Sequence, residues 1–253
     1  MAKRRHRKWV VIVLLIAALP PLLYFLLMPN LSKLNKENPK KTALMEYREK
    51  ASKEKGKPYK MNQQWVPLSK ISSYLVKAVL IAEDDKFWKH EGFDYEAIQK
   101  AIEKDLKAKK YKVGASTITQ QLVKNLYLSP EKSLTRKISE ALITWRMEKV
   151  LPKKRILELY LNVVEWGEGI FGVEAASRYY FGKPSSQLTP QEAARLASVL
   201  PNPRKYNPVG DQRYVTNRSN LIYSIMIQRG IVIPEYKEIY KEDAGGFDPS
   251  SPM

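Results

Sequence analysis

Residues 68–92 read LSKISSYLVKAVLIAEDDKFWKHEG, an apolar helical pattern that ends in a cluster of charges. The apolar residues recur every three or four positions, which predicts an amphipathic helix over residues 68–83. Glu83 closes that helix beside its apolar stripe, so we expect partial desolvation to raise its proton affinity, as a general base requires. The alternative is a solvated helix end with two further acids, Asp84 and Asp85.

The same periodicity continues along the chain and predicts an all-α fold. Further helices are predicted over 94–107, 117–127, 133–150, 153–163, 172–180, 189–199 and 212–229, with Thr189 capping the seventh of the domain. No alternating strand pattern and no internal repeat is evident, which argues against a solenoid. Roughly 190 residues follow residue 64, enough for one domain with a sizeable core.

A second informative stretch is GASTITQQLVKN at residues 114–125. Either Ser116 or Thr117 can cap the predicted helix. One face of that helix carries hydroxyls, amides and a single cation instead of the Glu and Lys of an ordinary solvent face: Thr117, Gln120, Gln121, Lys124 and Asn125. Such groups suit a sugar and a phosphate, and a helix N-terminus offers N–H donors to an anion. A capped helix with a plain polar face is the alternative.

The next predicted helix begins with three charged residues, Arg136, Lys137 and Glu140. They lie opposite a set of apolar residues, Leu134, Ile138, Ala141, Leu142 and Trp145, to which Ile143, Met147 and Val150 add later. The pattern predicts a helix that is buried in its later turns and whose charged start faces a cleft. A surface ion pair is the alternative, but an Arg that precedes its Glu by four positions contributes only a few tenths of a kcal/mol.

The N-terminal residues predict a membrane anchor. Residues 9–28 are twenty consecutive uncharged residues, and five basic residues precede them within residues 3–8. We therefore expect residues 1–8 in the cytoplasm, a transmembrane helix over 9–28 and the rest of the chain outside. A cleavable signal peptide is the alternative, but its apolar region would span roughly 7–15 residues. Residues 29–64 are predicted to be a linker with room for a short helix over 42–50, and residues 65–253 the domain.

Composition narrows the partners and the chemistry. The net charge is +18, but residues 3–8 contribute +5 and residues 31–60 carry ten Lys or Arg against four Glu. Basic residues beside a membrane anchor favour a solvated linker or lipid headgroups over nucleic acid. The chain has no cysteine and two histidines, which excludes thiolate metal sites and a His-based cluster. We expect His90 to be a hydrogen-bonding loop residue.

Five ordered stretches resemble the motifs of family 51 glycosyltransferases. They read EDDKFWKHEG at 83–92, GASTITQQ at 114–121, RKISE at 136–140, KKRILELYLN at 153–162, and EAARLA at 192–197 followed by PNP at 201–203. The chain is most similar to the monofunctional biosynthetic peptidoglycan transglycosylases. These are the stand-alone relatives of the glycosyltransferase domain of class A penicillin-binding proteins.

This resemblance implies an all-α, lysozyme-like, two-lobed domain that polymerises lipid II. The reaction would be an inverting transfer that makes β-1,4-linked glycan strands and releases undecaprenyl pyrophosphate. The resemblance makes Glu83 the catalytic base and Glu140 the second acidic residue, which either orients neighbouring cations or holds a divalent ion such as Mg or Mn. No organic cofactor is implied. Substrate binding falls to Ser116, Thr117, Gln120, Gln121, Lys124, Asn125, Arg136 and Lys137.

The implied partners are lipid II, the nascent glycan strand, cytoplasmic membrane lipids, transpeptidase penicillin-binding proteins and the divisome or elongation machinery. The implied location is the inner membrane, with the catalytic domain in the periplasm. Two rival functions stay open at this point. A lytic muramidase also places a glutamate in a sugar cleft, although its chemistry does not need Lys124, Arg136 and Lys137 together. The other rival is a non-catalytic, membrane-anchored cell-wall scaffold.

Overall fold

The computed structural model describes residues 28–108, 115–131 and 133–233. The predicted span over residues 9–28 lies outside these ranges except for Met28. Within the described ranges, no helix combines the length and the hydrophobicity needed to cross a membrane.

The part of the chain that the structure describes is mostly helical. Its α-helices are α1 Ala43–Glu54, α2 Ser73–Glu83, α3 Tyr95–Ala108, α4 Ile118–Tyr127, α5 Leu134–Val150, α6 Lys153–Val163, α7 Val173–Phe181, α8 Pro190–Ser198 and α9 Arg213–Gln228. The eight predicted domain helices are confirmed as α2–α9, with ends that agree closely except at the start of α2. There Leu68–Lys70 forms a separate 3-10 turn, because Ile71 adopts extended backbone with ψ 137° and interrupts the helix.

Helix starts follow the local capping chemistry. Thr117 caps α4 and Thr189 caps α8, each in a reciprocal capping box with the residue three positions on, Gln120 and Glu192. Ser133 caps α5 by accepting from the backbone N–H of Arg136 at 3.1 Å. These side chains satisfy N–H groups that have no partner within the helix, which fixes where each helix begins.

The core consists of two groups of packed helices, one around α8 and one around α4. α8 packs against both α2 and α9, while α4 packs against α1, α5 and α6. Fully buried apolar side chains fill these contacts, among them Leu75, Val79, Leu122, Leu157 and Leu196. Each such side chain contributes about 1.5–3 kcal/mol by its removal from water. The packing places the C-terminus of α2 beside α4 and α9.

The predicted linker over residues 29–64 is folded in the structure. It contains a 3-10 helix, Leu31–Asn35, the helix α1, and a short strand. Leu31, Leu34 and Met45 are at most 7% exposed. These apolar residues are isolated within a basic segment, so they give little periodicity, yet they pack against α5 and α4.

A small sheet departs from the all-α prediction. Strands β1 Asn62–Gln63, β2 Glu165–Gly167 and β3 Ile170–Phe171 form it in the order β1-β3-β2. β1 runs parallel to β3, and β2 runs antiparallel to β3. Gly169, at φ +72°, makes the turn, where an added Cβ would lie 2.4 Å from the Lys60 carbonyl oxygen. Strands this short show no alternation in sequence, because alternation needs at least four residues to be visible.

Helix α5 buries a different side from the one predicted. The predicted apolar side is exposed, at Leu134, Ile138, Leu142 and Trp145. The buried residues are Glu140, Ile143, Thr144 and Met147, so the acid shares a side with the later core residues. The prediction that α5 is buried in its later turns is confirmed, whereas the assignment of Ile143 and Met147 to the Leu134 side is wrong.

Candidate active site

Glu83 is the last residue of α2, and its side chain is only 11% exposed. Its Oε2 accepts a hydrogen bond from Nε2 of Gln121, on α4, at 2.9 Å. Burial raises the pKa of Glu83, while the Gln121 hydrogen bond and the charges of Arg218 and Lys124 oppose that rise. A carboxylate in this setting has the elevated proton affinity expected of a general base.

The amide of Gln121 is itself held in place. Its Oε1 accepts a hydrogen bond from the hydroxyl of Tyr160 at 3.1 Å, so its NH2 group must face Glu83. Tyr160 is fully buried on α6, and burial raises its pKa well above the ordinary value. It therefore remains a protonated donor at neutral pH. Tyr160, Gln121 and Glu83 form one ordered chain of donors and acceptors.

The residue after Glu83 fastens the following loop to α4. Asp84 Oδ2 accepts from the backbone N–H of Ile118 at 2.9 Å, and its Oδ1 lies 2.8 Å from Nε2 of His90. Nδ1 of His90 accepts from the Gly92 N–H at 3.2 Å, so the neutral ring donates through Nε2 to Asp84. His90 thus has the hydrogen-bonding geometry expected of it. One N–H at the start of α4 is already used by Asp84 and is not free for an anion.

Two of the predicted substrate-binding residues serve the cap of α4. The Thr117 hydroxyl donates to the Gly92 carbonyl at 2.7 Å, and the Gln120 side chain accepts from the Thr117 N–H at 3.0 Å. Both residues are buried. Ser116 is partly exposed. It lines a recess next to Glu83, together with Lys86, Asp94 and Lys100. The structure therefore brings Ser116 and Thr117 to the recess, but the Thr117 hydroxyl and the Gln120 amide oxygen already have hydrogen-bond partners at the cap of α4.

Lys124 and Asn125 line a groove beside Gln121. The groove encloses about 230 Å³, and its other wall comes from Arg48, Glu165 and the segment 200–203. Lys124 has no ion-pair partner among the described residues. Burial and the charges of Arg136 and Lys137 lower the pKa of Lys124, against the opposing charges of Glu140 and Glu83. Its ammonium group is thus a cation at the groove with no ion-pair partner among the described residues.

The charged start of α5 forms a compact cluster. Glu140, with a side chain 3% exposed, accepts from Arg136 Nη1 at 2.7 Å through Oε2, and from Lys137 Nζ through Oε1. Arg136 Nε is buried without a hydrogen bond among the described residues. Glu140 therefore holds both cations in fixed positions near Lys124.

The residues around Glu140 do not fit a divalent ion. Both carboxylate oxygens are bonded to cationic side chains, and Lys124 adds a further positive charge nearby. No group of three acidic or histidine side chains in the described ranges is placed to hold a metal.

Several side chains that the sequence reasoning did not single out contribute to this region. Tyr160 orients Gln121, and Arg218 of α9 lies 3.4 Å from Glu83 Oε1. On the groove wall, Arg48 donates twice to Glu165 Oε2, at 2.8 and 3.1 Å. Each contact joins residues at least 39 positions apart in sequence, so no local pattern signals them.

Comparisons with known proteins agree with one another. The family model described as Transglycosylase matches residues 49–227. A biosynthetic peptidoglycan transglycosylase from Dechloromonas aromatica (strain RCB) is 51% identical over 170 residues, which cover 67% of this chain and 74% of that protein. Proteins of the same name from Azoarcus sp. (strain BH72) and Janthinobacterium sp. (strain Marseille) are 54% and 43% identical, over 67% and 85% of this chain and 73% and 92% of theirs.

One solved structure is also similar, at a greater distance. Penicillin-binding protein 1A from Haemophilus influenzae aligns with a TM-score of 0.39 at 21% identity, over 70% of this chain and 17% of that chain. A likeness this remote supports no conclusion about the fold.

Proposed function

The chain belongs to the transglycosylase family, and we propose that it is a peptidoglycan glycosyltransferase that polymerises lipid II into β-1,4-linked glycan strands. The transfer inverts the donor carbon and releases undecaprenyl pyrophosphate. The observation that carries this proposal is the pairing of Glu83, a buried carboxylate with a raised pKa, with an unneutralised lysine in the adjoining groove.

Glu83 is the base of the proposed reaction, and its burial and raised pKa support this role. Its carboxylate takes the proton from the 4-hydroxyl of the acceptor sugar while that oxygen attacks C1 of the donor sugar. The new C–O bond forms as the bond from C1 to the pyrophosphate oxygen breaks. Gln121, held by Tyr160, keeps the carboxylate aimed at the acceptor. Ser116 and the recess on the other side of Glu83 suit the acceptor sugar.

The cations beside Glu83 suit the leaving group. A departing pyrophosphate gains negative charge in the transition state and needs neutralisation more than a proton. Lys124 is unneutralised by any described residue, while Arg136 and Lys137 each keep donors beyond the one given to Glu140. Glu140 acts by holding these two side chains. Asn125, buried at the groove, is suited to bind the donor or support its wall.

The membrane assignment is part of the proposal. The apolar run over residues 9–28 and the basic residues before it support a single N-terminal span with the catalytic domain in the periplasm. Donor and acceptor both carry polyprenyl chains, so an anchor keeps the groove at the surface where they lie. Transpeptidase penicillin-binding proteins and the divisome or elongation machinery are the proposed partners. A divalent cation stays a prediction. Both carboxylate oxygens of Glu140 are already bonded to Arg136 and Lys137, so Glu140 has no free oxygen for such an ion.

In the test, the purified 253-residue chain is incubated with lipid II in detergent, and polymeric strands are detected on a gel. We expect polymer from the wild type and none from Glu83→Gln. A product of short cleaved strands from preformed glycan, with no polymer from lipid II, would instead identify a lytic muramidase. Undiminished cell-wall synthesis in cells that carry only Glu83→Gln would identify a scaffold.

A further inference from the structure

Arg218, on α9, contacts Glu83 and the residue before it in the chain. Its Nη2 donates to the carbonyl oxygen of Ala82 at 3.0 Å and lies 3.4 Å from Glu83 Oε1. Ala82 belongs to the last turn of α2, where carbonyl groups have no partner within the helix and the helix dipole is negative. One guanidinium group therefore caps the end of α2 and faces the carboxylate that follows.

The position of Arg218 separates it from the substrate-facing cations. It is absent from the walls of the groove and of the recess on either side of Glu83. Its side chain is 29% exposed, and its Nε is buried without a hydrogen bond among the described residues. The contact with Ala82 is the shorter of its two, so the backbone carbonyl fixes the guanidinium and the carboxylate experiences its charge.

This inference rests on the proposed function and assigns a residue to it. We propose that Arg218 is a positioning residue that keeps the Glu83 carboxylate ionised in its buried site, and so keeps the base ready to accept a proton. Among the residues that the structure describes, Glu83 Oε2 has one neutral donor in Gln121, and Oε1 has Arg218 as its one side-chain contact. Without Arg218, one oxygen of a desolvated carboxylate would face the end of a helix whose dipole is also negative.

Other charged and titratable groups around Glu83 do not replace Arg218. Lys124, from α4, lines the groove and forms no ion pair with Glu83, although its charge acts on both Glu83 and Glu140. Tyr160, from α6, is neutral and bonded to Gln121. Asp84 is engaged by His90 and Ile118, and Asp85 forms a two-bond pair with Arg229, just past the end of α9. Arg218 is the cation that contacts Glu83 among the residues that the structure describes.

The experiment measures kcat/KM for lipid II polymerisation against pH in wild type, Arg218→Gln and Arg218→Lys. Loss of an opposite charge at this range should move the acidic limb of the Gln variant to higher pH by about one unit. At pH values below both limbs kcat/KM then falls about tenfold, while the plateau at higher pH changes little. Arg218→Lys should restore most of the limb. Arg213→Gln removes an exposed charge from the same helix and should leave the profile unchanged.

Two outcomes overturn the proposal. An equal loss of kcat/KM at every pH would mean that Arg218 serves only the packing of α9 on α2. A rise in KM with an unmoved limb would mean that it binds substrate. Thermal unfolding checks each variant, and Arg218→Met, of similar length, replaces the Gln variant should that one fail to fold. A wild type that makes no polymer contradicts the proposed function itself, which is a different result from a limb that does not move.

Discussion

Glu83 and Glu140 are both buried carboxylates of the candidate active site, yet their partners differ. Glu140 has a cationic side chain on each oxygen. Glu83 has a neutral amide on one oxygen and, on the other, a contact of 3.4 Å with Arg218. Glu140 is therefore saturated and orders its cations, whereas Glu83 keeps capacity for a proton. The difference assigns two roles to one residue type by environment alone.

The largest effect should come from removing the base. Glu83→Gln keeps the shape and the contact with Gln121 but cannot take a proton, so we expect the polymerisation rate to fall by about 10²–10⁴. The measurement is the initial rate of lipid II consumption. Glu103→Gln, an exposed change on α3, should behave as the wild type. A Glu83→Gln enzyme that retains more than about a tenth of the rate would contradict the assignment of Glu83 as the base.

Glu140→Gln should have a smaller effect of a different kind. The amide cannot hold Arg136 and Lys137 as charge-assisted acceptor on both oxygens, and each such bond contributes about 1.5–3 kcal/mol. We expect kcat/KM to fall about 10–100-fold as the two cations lose their positions. Glu49→Gln, which removes the surface pairs of this α1 residue with Lys41 and Lys53, is the matched control and should change nothing. A loss as large as that of Glu83→Gln would mean that Glu140 also takes part in proton transfer.

Most of the helices could be predicted, because local apolar periodicity and capping residues determine where they begin and end. The three-dimensional contacts could not. Gln121 was placed on a polar face, but its orientation depends on Tyr160, and the charge near Glu83 depends on Arg218, 135 residues away. The short helix predicted over residues 42–50 is confirmed as α1, but its packing is not predicted from the sequence, because its buried surface is small. For Thr117 and Gln120 the sequence predicts a ligand or a helix cap equally well, and the structure shows them in the cap of α4, while their role in substrate binding stays a prediction.

Thr117→Ala distinguishes a role of Thr117 in capping α4 from a role in substrate binding. The change removes the cap of α4 and the hydrogen bond to Gly92, so we expect the free energy of unfolding to fall by about 1–2 kcal/mol. Urea denaturation measures it. Thr117→Ser keeps both bonds and should lose less than half as much. An Ala variant of unchanged stability but weakened lipid II binding would show instead that the hydroxyl serves the substrate.

The smallest effect is a pH-dependent gain in stability in Glu83→Gln. Burial raises the pKa of Glu83, so the folded chain binds this proton more readily than the unfolded chain does. Ionised Glu83 therefore lowers the free energy of unfolding above its folded pKa, and the cost vanishes as pH falls below its ordinary value of 4.5. We expect Glu83→Gln to gain up to about 1 kcal/mol at neutral pH and nothing at acidic pH. A variant less stable than the wild type at neutral pH would contradict the assignment.

The most direct test of the contrast between the two carboxylates is the pH dependence of kcat/KM for lipid II polymerisation in wild type and Glu140→Gln. If Glu83 alone takes the proton, both enzymes keep an acidic limb, and the Glu140→Gln profile is lower at every pH. A profile of Glu140→Gln without an acidic limb would assign the titrating base to Glu140 and overturn the account.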